Sequence, residues 1–277
     1  MTYLIVNEYT NHISKNLDLR DYKGEKIQIR TSPDSIYKVG DYVKVDIINK
    51  KQVIDCKIIK PDNFLDYYDH GKFNTQYLQA EILKYVEQIE DSNIKLIVEE
   101  LLENEDYFVY PAAKTIHHAH IGGVAEHSLS MLKLSETFID SYNLDKDVLF
   151  AGIILHDYGK VRELESLGLT YTVEGNLLGH LMIGYELICN TMFKYEIEET
   201  EKTMLLKHMI ISHHGRLEYG SAKEPMTVEA YVLAQLDEID AKVNLLQSTL
   251  KNVEAGTISG PVNAFDRRRF YKTKDGK

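Results

Sequence analysis

Nine of the eleven histidines fall between His117 and His214, and several stand beside acidic residues or helix ends. The dipeptide His156-Asp157 closes an apolar run, Val148 to Leu155. A buried helix ending in an unpaired imidazole and carboxylate is costly, because an uncompensated charge away from water costs several kcal/mol. A divalent cation removes that cost, and this donor chemistry suits Mn²⁺, Fe²⁺ or Zn²⁺. His127, His156, Asp157 and Asp237 are the expected ligands of one ion. Asp157 is expected to bridge to a second ion that adds His180 and one of His213 or His214, a choice the sequence leaves open. Catalytic ions keep positions for water and substrate. Taken singly, each residue has a bland reading: a bonded core histidine, a helix cap, a satisfied loop, a solvated aspartate. The ordered set in a helical setting favours ligands. The expected cofactors are two divalent transition-metal ions, Mn²⁺ first, with Fe²⁺, Zn²⁺, Co²⁺ and Mg²⁺ as the other candidates.

Other residues surround this set. Lys160 lies three positions past Asp157, on the same face of a continuing helix, and is expected to meet a substrate phosphate and share catalysis with Asp157. Asp240, about one turn past Asp237, is expected to orient a ligand from behind. Arg267, Arg268 and Arg269 are phosphate forks in a basic tail.

These residues need helices to hold them. From Thr75 the apolar residues recur with helical period, in stripes through Leu78, Ile82, Tyr85 and Ile89 and through Ile94, Ile97 and Leu101. Further helices are expected over 121–140, 145–158, 177–195, 201–213 and 227–250, with a hairpin over 164–173. Residues 1–60 instead alternate apolar and polar side chains in four strand-like runs, beginning at Tyr3, Lys26, Tyr42 and Gln52. The fold class is therefore mainly α: a β module over 1–60, a linker over 61–74, a helical domain over 75–255 and a basic tail over 256–277.

The 277 residues are 44 % hydrophobic and 27 % charged, as in an ordinary globular protein. The net charge of −11 argues against broad non-specific nucleic-acid binding. The charge is uneven, however: residues 1–60 carry 11 Lys and Arg against 8 Asp and Glu, and residues 266–277 carry 6 against 2. Two isolated cysteines exclude a disulfide framework. No apolar run is long enough for a bilayer, and Met1 to Asn11 lacks a signal pattern. A cytoplasmic location without a membrane partner is expected.

The order His127, His156-Asp157, Asp237 resembles the HD phosphohydrolase signature, and the chain is similar to the YhaM-type 3′→5′ exoribonucleases. The resemblance runs through Tyr110-Pro111-Ala112-Ala113, His117-His118, Gly122 to Ser128, Ile154 to Val161, Tyr171 to His180, Ser212 to Gly215, Asp237 to Lys242 and Arg269-Phe270-Tyr271. It implies stepwise release of nucleoside 5′-monophosphates from single-stranded RNA, with single-stranded DNA as a second substrate. It also implies a place for His117 and His118 at the substrate mouth, and an N-terminal OB-fold that binds RNA. Four strand-like runs fall short of a five-stranded barrel, so a shortened, incomplete OB-like module is expected. The competing readings are an HD phosphohydrolase of small nucleotides or cyclic dinucleotides, a di-iron oxygenase, and a non-catalytic RNA-binding adaptor. Assembly as a homo-oligomer stays open.

Overall fold

The computed structural model describes residues 1–48, 51–112, 120–165, 167 and 169–275. Strands β1 (Thr2–Thr10), β2 (Lys15–Arg20), β3 (Lys26–Thr31), β4 (Tyr42–Ile48) and β5 (Lys51–Ile58) form one antiparallel sheet in the order β3-β2-β1-β4-β5. Its edges, β3 and β5, come into contact, the arrangement of a partly open five-stranded barrel. Tyr3, Ile5, Leu17, Leu19, Ile29, Val43 and Val45 fill its interior. The expectation of missing strands is corrected by β2. Its Leu17 and Leu19 point inward, while Asp18 on the outer face accepts from Gln28 Nε2 at 2.7 Å. Bulges between Ile5 and Asn7 and between Lys44 and Val45 let so short a sheet curl.

The segment after β5 packs rather than dangles. Tyr67 sets its ring edge-on to Tyr42 at 5.4 Å, Arg20 pairs with Asp69 at 2.6 Å, and His70 bridges Ile121.

The helical part comprises α1 (Thr75–Val86), α2 (Ser92–Leu102), α3 (Gly123–Tyr142), α4 (Lys146–Leu155), the single turn α5 (Lys160–Glu163), α6 (Val173–Lys194), α7 (Glu201–Ser212) and α8 (Val228–Lys251). Between α5 and α6, strands β6 (Leu164–Glu165) and β7 (Thr170–Tyr171) make the small hairpin. Asp91, Asp145, Thr172, Thr200 and Thr227 accept bonds from the first-turn N–H groups of α2, α4, α6, α7 and α8, which fixes where each helix starts. Helix α4 is apolar on all sides and sits in the middle, against α1, α2, α3, α7 and α8. Its C-terminus delivers His156 and Asp157 to the centre of the bundle. Among the described residues, no helix is long and apolar enough to cross a membrane.

Two glycines shape the surroundings of that end. A side chain at Gly159 would meet the His180 carbonyl at 2.1 Å, so only glycine lets α5 turn against α6 there. Gly179, at φ 71°, kinks α6 immediately before His180; this is backbone that L side chains rarely adopt.

The C-terminal stretch folds back. Ile258 bridges Tyr271, Val262 bridges Arg268, and Ser259 is buried beneath them.

Candidate metal centre

His127 comes from the second turn of α3, His156 from the C-cap of α4 and Asp157 from the next position. His180 follows the kink in α6, His213 caps α7, and Asp237 and Asp240 stand on α8. Among the described residues, donor atoms of His127, His156 and Asp157 lie within 4.8 Å of one another, and so do those of His180, His213 and His214. Asp157 stands between the groups. Its Oδ2 is 3.4 Å from His156 Nε2; its Oδ1 is 3.5 Å from His180 Nε2 and 3.8 Å from His213 Nε2. Both His213 and His214 approach His180, where the sequence offered a choice of one.

The five imidazoles share one orientation. His156 Nδ1 lies 2.8 Å from the Ile153 carbonyl, His213 Nδ1 2.7 Å from Ile210 O, and His214 Nδ1 3.0 Å from Tyr219 O. A carbonyl only accepts, so each Nδ1 carries the proton and donates it. His127 Nδ1 faces Asp240 Oδ2 at 2.7 Å and His180 Nδ1 faces Glu163 Oε1 at 3.1 Å. Every Nε2 is thereby turned to the interior, as in metal-binding histidines.

Among the described residues, His156 Nε2 and His213 Nε2 are buried without a hydrogen-bond partner. His180 Nε2 and His214 Nε2 face each other at 3.1 Å, with both Nδ1 protons already committed. A divalent ion would fit these donors.

The electrostatics agree. Burial opposes ionisation of Asp157, but Lys160, His156 and His180 outweigh it and hold the carboxylate well below its usual range. Asp237 is likewise held low against its burial, chiefly by His127 and His156. Burial pushes His213 well down, helped by His156 and His214, and burial and His180 lower His214. Burial also opposes charge on His127, yet Asp237 and Asp240 prevail and raise it to about 9. An imidazolium thus sits between two carboxylates, with Asp237 Oδ1 3.2 Å from Nε2. A cation replacing that Nε2 proton would lie between His127 Nε2 and Asp237.

Three supports stand behind the ligands. Asp240 holds His127 and is itself bonded by Ser130. Glu163, which the sequence reading missed, takes both the His180 Nδ1 and backbone N–H contacts at 3.1 Å; His180 keeps its carboxyl below the usual range despite burial. The Tyr219 carbonyl, also missed, holds His214. Lys160 Nζ is 2.6 Å from Asp157 Oδ2.

The centre opens into a cleft of about 680 Å³ whose lining includes Asp157, Lys160, His213, His214 and Asp237. Ala264 and Asp266 of the folded-back C-terminus also line it. Arg267, Arg268 and Arg269 are exposed and lie outside that lining; Arg268 bonds the Phe265 carbonyl instead. His117 and His118 lie outside the described residues.

Residues 124–242 match the HD domain family. The chain is 35 % identical to the 3′-5′ exoribonuclease YhaM of Bacillus licheniformis, over 98 % of this chain and 93 % of that protein. It is 37 % identical to the YhaM exoribonuclease of Shouchella clausii, over 98 % and 92 %. With the Bacillus subtilis protein of the same name the identity is 34 %, over 98 % and 93 %. No solved structure matches the chain.

Proposed function

The chain belongs to the YhaM family of 3′-5′ exoribonucleases, and from that premise we propose that it shortens single-stranded RNA stepwise, at a two-metal centre held by His127, His156, Asp157, His180, His213, His214 and Asp237. The observation that carries this reading is the common orientation of five histidines: every Nδ1 is tied to an oxygen and every Nε2 is turned inward. Mn²⁺ is the ion we propose first, since mixed imidazole and carboxylate donors suit it. When bound, the ions would polarise the phosphodiester and lower the pKa of water.

The protein's own groups do the rest. Asp157 turns one oxygen toward each ligand group and joins them. Asp240, Glu163 and the Tyr219 carbonyl keep His127, His180 and His214 in register. Lys160 lines the cleft beside Asp157 and offsets the negative charge that grows on the phosphoryl oxygens. Water adds to phosphorus, the bond to the preceding nucleotide's 3′-oxygen breaks, and the phosphate leaves on the released nucleoside as a 5′-monophosphate. Single-stranded DNA fits the same chemistry as a second substrate.

A 5′-labelled RNA incubated with Mn²⁺ tests this. A ladder of shortened products with nucleoside 5′-monophosphates is expected. A single internal cut, 3′-monophosphate products, or turnover confined to free mononucleotides would reject it; the last outcome would favour a small-nucleotide phosphohydrolase.

A further inference from the structure

The cleft beyond the ligands carries two aromatic side chains that the reaction itself does not need. Tyr219 and Tyr231 both line it, and both are 58 % exposed. Tyr219 ends a single 3-10 turn, Leu217–Tyr219, closed by bonds from Tyr219 N to Arg216 O and from Gly220 N to Leu217 O. Tyr231 lies on α8 six residues before Asp237, about 9 Å along the axis, a distance on the scale of one nucleotide. Ala234 and Ala241 on the same helix also line the cleft, and their short side chains leave its floor open. An exposed phenol ring gains little from water on its faces, whereas a nucleobase offers each ring a partner.

Resting on the exoribonuclease reading, we propose that Tyr219 and Tyr231 form a stacking subsite for the base of the 3′-terminal nucleotide, the one about to be released. Arg216, whose guanidinium lies 5.8 Å from the Tyr219 ring centre and which also lines the cleft, flanks that subsite while pairing with Glu218 at 3.2 Å. Stacking reads no base edge, so all four bases are accepted, as an enzyme that shortens any sequence requires. The subsite is tied to the centre: the residue that presents one ring also holds His214 through its carbonyl, at 3.0 Å. Base occupancy and ligand geometry therefore share one turn.

The test compares RNA oligomers ending in an ordinary nucleotide with oligomers ending in an abasic ribose, using the full chain loaded with Mn²⁺. For the wild type, kcat/KM should fall about 5- to 150-fold on the abasic end, the range that base–aromatic stacking supplies. Tyr219→Ala and Tyr231→Ala should each move this ratio toward one, whereas Tyr219→Phe and Tyr231→Phe should keep it. Metal content, read by elemental analysis, should stay at the wild-type level, because the main-chain bond to His214 survives substitution. A wild-type ratio near one, or a ratio unchanged in both alanine variants, overturns the subsite. Wild-type enzyme that hydrolyses neither RNA rejects the exoribonuclease reading and the subsite together.

Discussion

His127 Nδ1 lies 2.7 Å from Asp240 Oδ2, across 113 positions of chain. The bond fixes the ring so that Nε2 faces Asp237, and Ser130 in turn steadies the carboxylate. Removing such a support typically weakens metal binding by about 10- to 100-fold. Asp240→Ala should therefore need more Mn²⁺ for half-maximal activity by that factor, with the rate recovering at saturating metal. Metal titrations read by activity and by calorimetry check this, and an unchanged titration would contradict it.

Asp157 and His214 should differ in stoichiometry. Asp157 faces both ligand groups, whereas His214 belongs to one. Asp157→Ala should lose both ions and all hydrolysis, while His214→Ala should keep the ion of the other group. Elemental analysis after dialysis distinguishes the two variants. Equal metal content in both would remove the bridging role.

The base of the bundle should respond to acid. Asp147 accepts from the backbone N–H groups of Glu90 and Asp91 at 2.9 and 3.1 Å, and Lys202 lies 2.8 Å away. Burial opposes the charge, but these partners outweigh it and lower the folded-state pKa. The unfolded carboxyl titrates near 3.9. With the folded pKa below the unfolded one, the stabilisation is complete above roughly pH 4 and is lost as pH falls through the folded value. Asp147→Asn should lower stability at neutral pH by about 1–3 kcal/mol and flatten the acid limb of the stability curve. Urea melts at several pH values measure both effects.

The β module should contribute affinity rather than chemistry. Its residues lie outside the cleft lining, while its Lys and Arg exceed its acidic residues. A chain beginning at Asp69, which keeps the bonds to Ile121, should retain its metals and cleave very short oligomers. It should bind long RNA more weakly, with a shallower dependence on salt. Unchanged affinity and salt slope would show that the module does not touch RNA.

Much of the cluster that the fold brings together was legible because chemistry-bearing residues close apolar helices, as His156-Asp157 closes α4. The strand β2 was harder to see: Asn16 and Asp18 are residue types that strands disfavour, and only the pairing with β1 and β3 rewards Leu17 and Leu19. Glu163 left no mark in the sequence, since its role depends on the turn at Gly159 and the kink at Gly179 that bring His180 to it. The Tyr219 carbonyl belongs to the backbone, and no residue type announces it. That both His213 and His214 approach His180 was hidden for a related reason. Successive residues on a regular helix point about 100° apart, but here the helix ends at Ser212, and both rings turn toward His180.

The scatter of these ligands has a consequence for the chain while it is being made. The stretches that build the centre span His127 to Asp240, and α8 supplies both Asp237 and Asp240. A polypeptide still emerging from the ribosome lacks α8 until most of its length exists. His127 then has neither carboxylate, and the candidate centre is incomplete. The order of synthesis alone makes this cluster one of the last features of the fold to assemble.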